Sequence, residues 1–468
     1  MNYDEAVKYL LEIPKFAGKA GNDNLSKYLH RLDDPHLEVP AIHIAGTNGK
    51  GSVCAFLASI LSYAGYRVGM FTSPHLVTIN ERFRIGDELI TDEEFVRIYQ
   101  NVKQVVDQGM DEGQAHPNFF EFLFLMAVCW YRDIRKEGKV DYVVYETGLG
   151  GRLDATNVLF PCMTIITSIG LDHMQYLGNT ISEIAGEKAG ILKTGVPCVC
   201  LTEPAEAFAV IKRIAHEVSA PLLPVEPSKI IIENCDKDWI DFTYHSMYDR
   251  TCTYRIRSTA LYQTENAMLA VTAAEYLLSE RNGEYMHRPI VDQNNSDWTD
   301  SAEGDMILDQ IRQGLSVMYW CGRMEEIFPD FYVDGAHNEP AIHAFCNTVT
   351  RIYRDKSVIL LFAVSSDKSY NKMIGMLCEK LKLQEVIVTA IYGSRTTPVA
   401  EVADEFRMHS GIGNDIQHKG LPKITIKEDL KDAYEYTREL LANSDHSRVF
   451  CVGSLYLVGS LIEFAERG

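Results

Sequence analysis

Lys50, set in Gly46-Thr47-Asn48-Gly49-Lys50-Gly51-Ser52, is the side chain whose neighbours first suggest chemistry. Glycines let backbone N–H groups converge on an anion, a helix N-terminus adds positive potential, and a central lysine offers a point charge to phosphate oxygens. The spacing departs from the general phosphate-loop pattern, which has four residues between its glycines and a hydroxyl directly after the lysine. Here only Thr47 and Asn48 separate Gly46 from Gly49, and Gly51 precedes Ser52. A nucleoside triphosphate is the ligand this turn suits. Glu146 closes an apolar run and is followed by Thr147-Gly148-Leu149-Gly150-Gly151. A carboxylate there is costly to bury unless paired or coordinated, and near phosphates it suits magnesium. A solvated glutamate in a glycine-rich turn is the alternative. His173, after Gly170-Leu171-Asp172, is either a ligand or a structural histidine. Lys188 stands on a helix-like stretch, where an exposed lysine is the ordinary reading.

The elements around these residues explain why they could meet. Ala41–Ala45 reads as a short buried strand, and Val53, Phe56, Leu57, Ile60, Leu61 and Ala64 recur at helical spacing until Gly65. Further strand-like runs follow at Arg67–Thr72, Tyr142–Tyr145, Thr164–Ser168 and Pro197–Leu201, separated by helical stretches or loops. That alternation predicts a mostly parallel sheet wrapped by helices. In such sheets ligands sit beyond the carboxyl ends of the strands. Gly46–Ser52, Ser73-Pro74-His75, Glu146–Gly151 and Asp172-His173 each follow a strand, a recurrence harder to produce by chance than one motif.

The chain of 468 residues exceeds one ordinary core, so two or three domains are expected. A polar, acidic stretch at 281–308 reads as a surface excursion near a boundary. A second alternating block, with strand-like Val358–Val364, Glu385–Ala390 and Arg448–Val452, predicts a smaller α/β domain over 317–468 after a first domain over 1–316. The net charge of −20 argues against broad binding to nucleic acid or anionic membranes, while leaving local phosphate binding open. Phe119 to Tyr131, the most apolar run, contains Glu121 and is too short to span a bilayer, so it reads as a buried helix. Met1-Asn2-Tyr3-Asp4-Glu5 lacks the basic start of a secretory signal. The 11 cysteines include no Cys-x-x-Cys pair, and Cys198 and Cys200 read as small buried thiols rather than a metal site. A reduced cytoplasmic protein is expected.

Gly46–Ser52 and Val144–Leu159 resemble the two signature segments of folylpolyglutamate synthases, members of the Mur ligase superfamily. Ser73-Pro74-His75-Leu76, Glu81-Arg82, Phe120-Glu121, Leu171-Asp172-His173 and Glu187-Lys188-Ala189-Gly190-Ile191 also match. So do Asp334-Gly335-Ala336-His337-Asn338 and Gly453-Ser454-Leu455-Tyr456-Leu457, so the resemblance runs through nearly the whole chain in order. It implies a Mur ligase-like fold, in which a phosphate-loop sheet is joined to a C-terminal α/β domain that binds glutamate. It implies ATP bound by Gly46, Thr47, Asn48, Gly49, Lys50, Gly51 and Ser52, with Asn266, Arg323, Asp334 and His337 nearby. Mg2+ would be held by Ser52, Ser73, Glu146 and His173. Lys188 matches a lysine that the superfamily carries as a carbamate, and Lys50, Lys188 and His173 would serve catalysis. Arg82, Phe83, Ser454 and Tyr456 would lie near substrate, although a core role suits Phe83 equally.

Three departures stand out. The family commonly has Gly-x-His-Gln where Ala260-Leu261-Tyr262-Gln263 stands, Trp-Pro-Gly-Arg for Trp320-Cys321-Gly322-Arg323, and Asp-Lys-Asp for Asp367-Lys368-Ser369. None removes an implied phosphate or metal ligand. The implied reaction joins L-glutamate to a tetrahydrofolate through an acyl phosphate, in a monomer that binds small molecules and no nucleic acid. Glutamate addition to dihydropteroate, a small-molecule kinase and a nucleotide-binding module without turnover are the rivals.

Overall fold

The computed structural model describes the chain apart from residues 1, 15–20, 246–250, 281–301, 367, 392–395, 412–420, 445 and 468. Most of the expected polar excursion, and Asp367, therefore lie outside the described residues. The chain divides into two compact units. The first comprises Met1–Ile231, Phe242–Ile256 and Thr264–Met318, and the second comprises Ile232–Asp241, Arg257–Gln263 and Tyr319–Gly468.

The strands of the first sheet are β1 (Ala41–Ala45), β2 (Val68–Phe71), β3 (Phe83–Ile85), β4 (Glu88–Leu89), β5 (Tyr142–Glu146), β6 (Met163–Ile166), β7 (Cys198–Leu201) and β8 (Leu222–Val225). They lie in the order β4-β3-β2-β5-β1-β6-β7-β8. The pairings from β2 to β8 are parallel, while β3 and β4 are added antiparallel at one edge. Every residue of β1, β2, β6 and β7 is buried, as expected of strands covered on both faces. Register places Ile44 beside Glu146, Ala45 beside Ile166, and Phe71 beside Tyr145. The carboxyl ends of β2, β5, β1 and β6 thus form one continuous rim.

Helix Lys50–Tyr63 leaves β1 at this rim and is buried through most of its length. Helix Ala302–Val317 packs closely against it: a Cβ on Gly314 would sit 2.5 Å from Ile60 Cα, and Ser59 Oγ donates to the Gly314 carbonyl at 2.7 Å. Residues 302–308, expected within the polar excursion, belong to this helix instead. Ile307, Leu308, Ile311 and Leu315 are its buried face, and their i, i+1, i+4, i+8 spacing is the reason. Helix Phe119–Lys136 is buried as expected. Its Glu121 closes a capping box, accepting from Asn118 N at 2.8 Å while Asn118 Oδ1 accepts from Glu121 N at 3.0 Å. Phe83 is fully buried among Phe71, Phe95 and Trp130, which settles its role in favour of the core. Among the described residues no helix is long and apolar enough to cross a membrane. Cys198 and Cys200 are buried free thiols on β7.

A three-stranded sheet follows, formed by β9 (Ile231–Cys235), β10 (Ile240–His245) and β11 (Thr251–Ile256) in the order β11-β10-β9. The sheet of the second unit contains β12 (Glu325–Phe328), β13 (Phe331–Val333), β14 (Ser357–Phe362), β15 (Leu383–Val388), β16 (Lys423–Ile426) and β17 (Ser447–Val452). Its order is β12-β13-β17-β14-β15-β16, parallel except for β12. The three runs expected as strands form its centre. Ile359, Leu360, Ile387, Phe450 and Val452 are fully buried there, each contributing about 1.5–3 kcal/mol relative to exposure.

Candidate active site

The turn after β1 is tied to the end of β6. Thr47 N donates to Ser168 O at 2.8 Å, Thr47 Oγ1 donates to Gly170 O at 3.1 Å, and Thr167 Oγ1 donates to Asn48 O at 2.7 Å. Gly46 has no room for a side chain, since a Cβ would fall 1.7 Å from Thr167 Oγ1. Gly49 has φ +85, the left-handed region that favours glycine, and its Cβ would fall 2.2 Å from Asn266 Oδ1. Asn266 therefore rests against the turn, although 220 or so residues of chain, roughly the length of a domain, lie between them. No side chain caps helix Lys50–Tyr63, so its N-terminal amides and dipole can receive an anion.

Glu146 ends β5 beside this turn and is 4% exposed. Its Oε2 accepts from Ser73 N at 2.8 Å, and its Oε1 lies 3.8 Å from Lys50 Nζ. Lys50 Nζ also donates to the carbonyls of Gly46 at 3.2 Å and Thr47 at 3.3 Å. Lys188 Nζ reaches the same Gly46 carbonyl at 2.6 Å. The ordinary reading of Lys188 as an exposed helix lysine is overturned, because the residue is 3% exposed. Burial, and then the nearby Lys50 cation, push its amine down from 10.5 to about 7, against opposing pulls from Asp172 and Asp154. A large share of Lys188 is neutral near pH 7 in consequence.

The glycine-rich segment after Glu146 holds Lys188 in place. A Cβ on Gly151 would lie 2.8 Å from the carbonyls of Glu187 and Lys188, and Arg152 N donates to Glu187 O at 2.8 Å. The segment is itself held by Asp154, a positioning residue to which sequence reasoning gave no role. Asp154 accepts from Leu149 N at 2.8 Å, Thr156 N at 3.0 Å and Thr156 Oγ1 at 2.5 Å. His43 Nε2 meets that threonine hydroxyl at 2.7 Å. Burial, with Lys193 second, takes His43 down from 6.5 to about 3, so its imidazole is neutral. Burial raises the Asp154 carboxyl, partly offset by those hydrogen bonds.

His173 follows β6 with φ +49 and is partly exposed, its Nε2 3.8 Å from Asp172 Oδ2. Among the described residues no three His, Cys, Asp or Glu converge as a metal site. The implied Mg2+ set has only Glu146 and His173 of those types, with two serine hydroxyls. Arg82 is buried, donating from Nε to His75 Nδ1 at 2.9 Å and lying over the Phe119 ring.

In the second unit Asp334 follows β13 and is fully enclosed. It accepts from Tyr262 Oη at 2.5 Å, Met324 N at 3.0 Å and Ala336 N at 2.8 Å. Tyr262, one of the departures from the family pattern, thus supplies a donor to this carboxylate. Burial raises the Asp334 carboxyl, while Tyr262 and Arg323 lower it. Arg323 lies on the Gly335 backbone, where a Cβ would be 2.2 Å from Nη1. His337 Nδ1 donates to Gly335 O at 2.7 Å, which fixes its tautomer. Gly453 N donates to Ala336 O at 2.8 Å, bringing buried Ser454 to the same rim of the sheet. Tyr456, 41% exposed, follows at the start of helix Leu455–Arg467.

A family model described as "Mur ligase, glutamate ligase domain" matches residues 322–455. The "Dihydrofolate synthase/folylpolyglutamate synthase" of Bacillus subtilis is 34% identical over 98% of this chain and 98% of its own length. A folylpolyglutamate synthase from Thermotoga maritima, solved by crystallography, superposes with a TM-score of 0.74 at 28% identity, covering 99% of this chain and 96% of that one. A structure described as an FPGS–AMPPCP complex superposes with a TM-score of 0.77 at 25% identity, covering 99% of both chains.

Proposed function

The chain belongs to the dihydrofolate synthase/folylpolyglutamate synthase family, and we propose that it is an ATP-dependent, ADP-forming ligase that joins the amine of L-glutamate to a carboxylate of a folate. The observation that carries this reading is the pair of lysines, Lys50 and Lys188, converging on the Gly46 carbonyl beside the buried Glu146. The Lys50 cation and the free amides of an uncapped helix start suit a polyphosphate more than any neutral ligand.

A carboxylate resists attack by an amine because it is resonance-stabilised and would have to expel an oxide. Attack of the folate carboxylate oxygen on the γ-phosphorus of ATP breaks the β–γ bridge and releases ADP. The glutamate amine then attacks the carbonyl carbon of the acyl phosphate, inorganic phosphate leaves, and the amine loses a proton. Lys50 and the amides of the Gly49–Ser52 turn would offset charge on the transferring phosphoryl group. Asn266, against Gly49, would border the adenosine side. Arg323, Asp334, His337, Ser454 and Tyr456 are proposed for the nucleotide and glutamate from the second unit, and Arg82 for the folate.

The donor set at Glu146 fits a hard cation. Its carboxylate faces the Lys50 cation and accepts from the Ser73 amide, and Ser52 and Ser73 offer hydroxyl oxygens. Glu146, Ser52, Ser73 and His173 would hold Mg2+, which when bound neutralises phosphoryl charge. The depressed amine of Lys188 suits carbamate formation, in which the neutral nitrogen adds to CO2 and releases a proton. Lys188→Ala is expected to be nearly inactive and partly rescued by acetate; full activity without rescue would refute a carbamate role.

The name of the B. subtilis relative carries both activities, which favours dihydropteroate as a second acceptor here. ADP release, measured with ATP and magnesium while glutamate, dihydropteroate and tetrahydrofolate are added in turn, tests the whole reading. Release that needs both glutamate and a pteroyl acceptor is expected. Glutamate-independent turnover would indicate a kinase, and no turnover a binding module; either result overturns the proposal.

A further inference from the structure

The second unit has a cavity of about 400 Å3 lined by Lys237, Arg351, Arg354, Lys356 and Arg448, with only Asp330 and Asp355 as carboxylates. Its place in the fold is distinct from the rim carrying Asp334 and Ser454. Asp330 precedes β13, Lys356 precedes β14, and Arg448 is the second residue of β17, so the cavity sits at the amino ends of strands whose carboxyl ends carry those residues.

Three features make it more than a solvated basic edge. Asp330 is already engaged by Arg448, at 2.6 Å, whereas no carboxylate lies within ion-pair distance of Lys237, Arg351, Arg354 or Lys356 among the described residues. In a chain of net charge −20 acidic partners are abundant, so four cations facing one cavity without them is unexpected. Arg351, in the last turn of helix Glu339–Ile352, is accounted for by the helix dipole. The other cations come from three separate segments and have no such explanation. Finally, Tyr353 lines the cavity and is 8% exposed, and its buried hydroxyl faces the Tyr332 hydroxyl without good hydrogen-bond geometry. Its ring is fixed between Tyr332 and Phe450, at centroid distances of 5.2 and 5.3 Å. A buried hydroxyl so poorly aligned with its neighbour keeps donor capacity for a ligand oxygen.

We propose that this cavity binds a small polyanion, a ligand carrying two or more adjacent phosphoryl or carboxylate groups. Guanidinium forks pair bidentately with either group, and the Tyr353 hydroxyl would donate to one of its oxygens. The proposal is independent of the ligase reading, because it uses no residue of the nucleotide turn.

Calorimetric titration of the full chain with pyrophosphate, and separately with citrate, tests it. The variants are Arg351→Ala/Arg354→Ala, Tyr353→Phe and Lys50→Ala, with thermal unfolding as a check on folding. The double variant is expected to weaken one binding event at least tenfold, and Tyr353→Phe the same event severalfold, while Lys50→Ala leaves that event intact. Binding of pyrophosphate, of citrate or of both that weakens in the double variant and persists in Lys50→Ala would support the site and identify its ligand chemistry. Absence of binding by either, wild-type affinity in the double variant, or loss of all binding in Lys50→Ala would overturn it.

Discussion

Lys188→Met keeps the aliphatic stem and removes the amine, and its effect on stability follows from one titration. The amine falls from 10.5 in the unfolded chain to about 7 in the fold, a difference worth about 5 kcal/mol. Between those values the unfolded chain holds a proton that the folded chain has released. Wild-type stability therefore rises with pH across the window from about 7 to 10.5, and this group imposes its full penalty below pH 7. Methionine has no such dependence. The lost hydrogen bond to Gly46 O costs the variant an amount nearly constant over the same window, since the neutral amine can still donate it. Stability of the variant relative to wild type should thus fall by roughly 2–3 kcal/mol between pH 7.5 and pH 9.5. Urea unfolding of both proteins in CO2-free buffer, following the transition of the first unit, measures that difference. A difference that does not change with pH, or a variant that gains on wild type as pH rises, would refute the assignment of a buried, depressed amine.

Three further outcomes follow from the same geometry. Lys50→Ala should fold normally and lose at least about a hundredfold in ADP release, equivalent to about 3–4 kcal/mol at the transition state; near-normal turnover would contradict its role. Gly49→Ala forces a side chain to φ +85 and against Asn266, so about 1–2 kcal/mol of stability and at least about tenfold in ADP affinity should be lost, as read by thermal unfolding and calorimetry. Tyr262→Phe removes a donor from the enclosed Asp334 and should cost about 1–3 kcal/mol. Burial holds the folded Asp334 pKa above its ordinary value of 3.8, and losing the tyrosine raises it further, so the deficit should be full above the variant's folded pKa and vanish as pH falls below the wild-type folded pKa. Denaturation at pH 8 and at acid pH distinguishes this from a deficit independent of pH.

Particular residues show how far local pattern reaches. Short apolar runs followed by Gly46–Ser52, Ser73, Glu146 and Asp172-His173 located the rim of a parallel sheet, because strands buried on both faces have few polar residues until they end. The burial of Lys188 was less visible, yet Ile184, Ala185 and Lys188 share one helix face at i, i+1 and i+4; that spacing was a usable signal. The Phe83 ring could have faced ligand or core, since β3 is only three residues long and gives no decisive alternation. The boundary of the polar stretch was misplaced at 308 because the acidic residues at 303–309 masked the apolar period of helix Ala302–Val317.

The sequence by itself determined where the chain turns, which strands are buried and which turn can receive phosphate. Those properties follow from glycine, charge and hydrophobic spacing within about a dozen residues. The contacts that tune the chemistry span far longer separations: Lys188 on Gly46, Asn266 against Gly49, His43 through Thr156 to Asp154, and Tyr262 on Asp334. A pKa or the satisfaction of a buried hydroxyl depends on the dielectric and partners that packing supplies, and no local period encodes those.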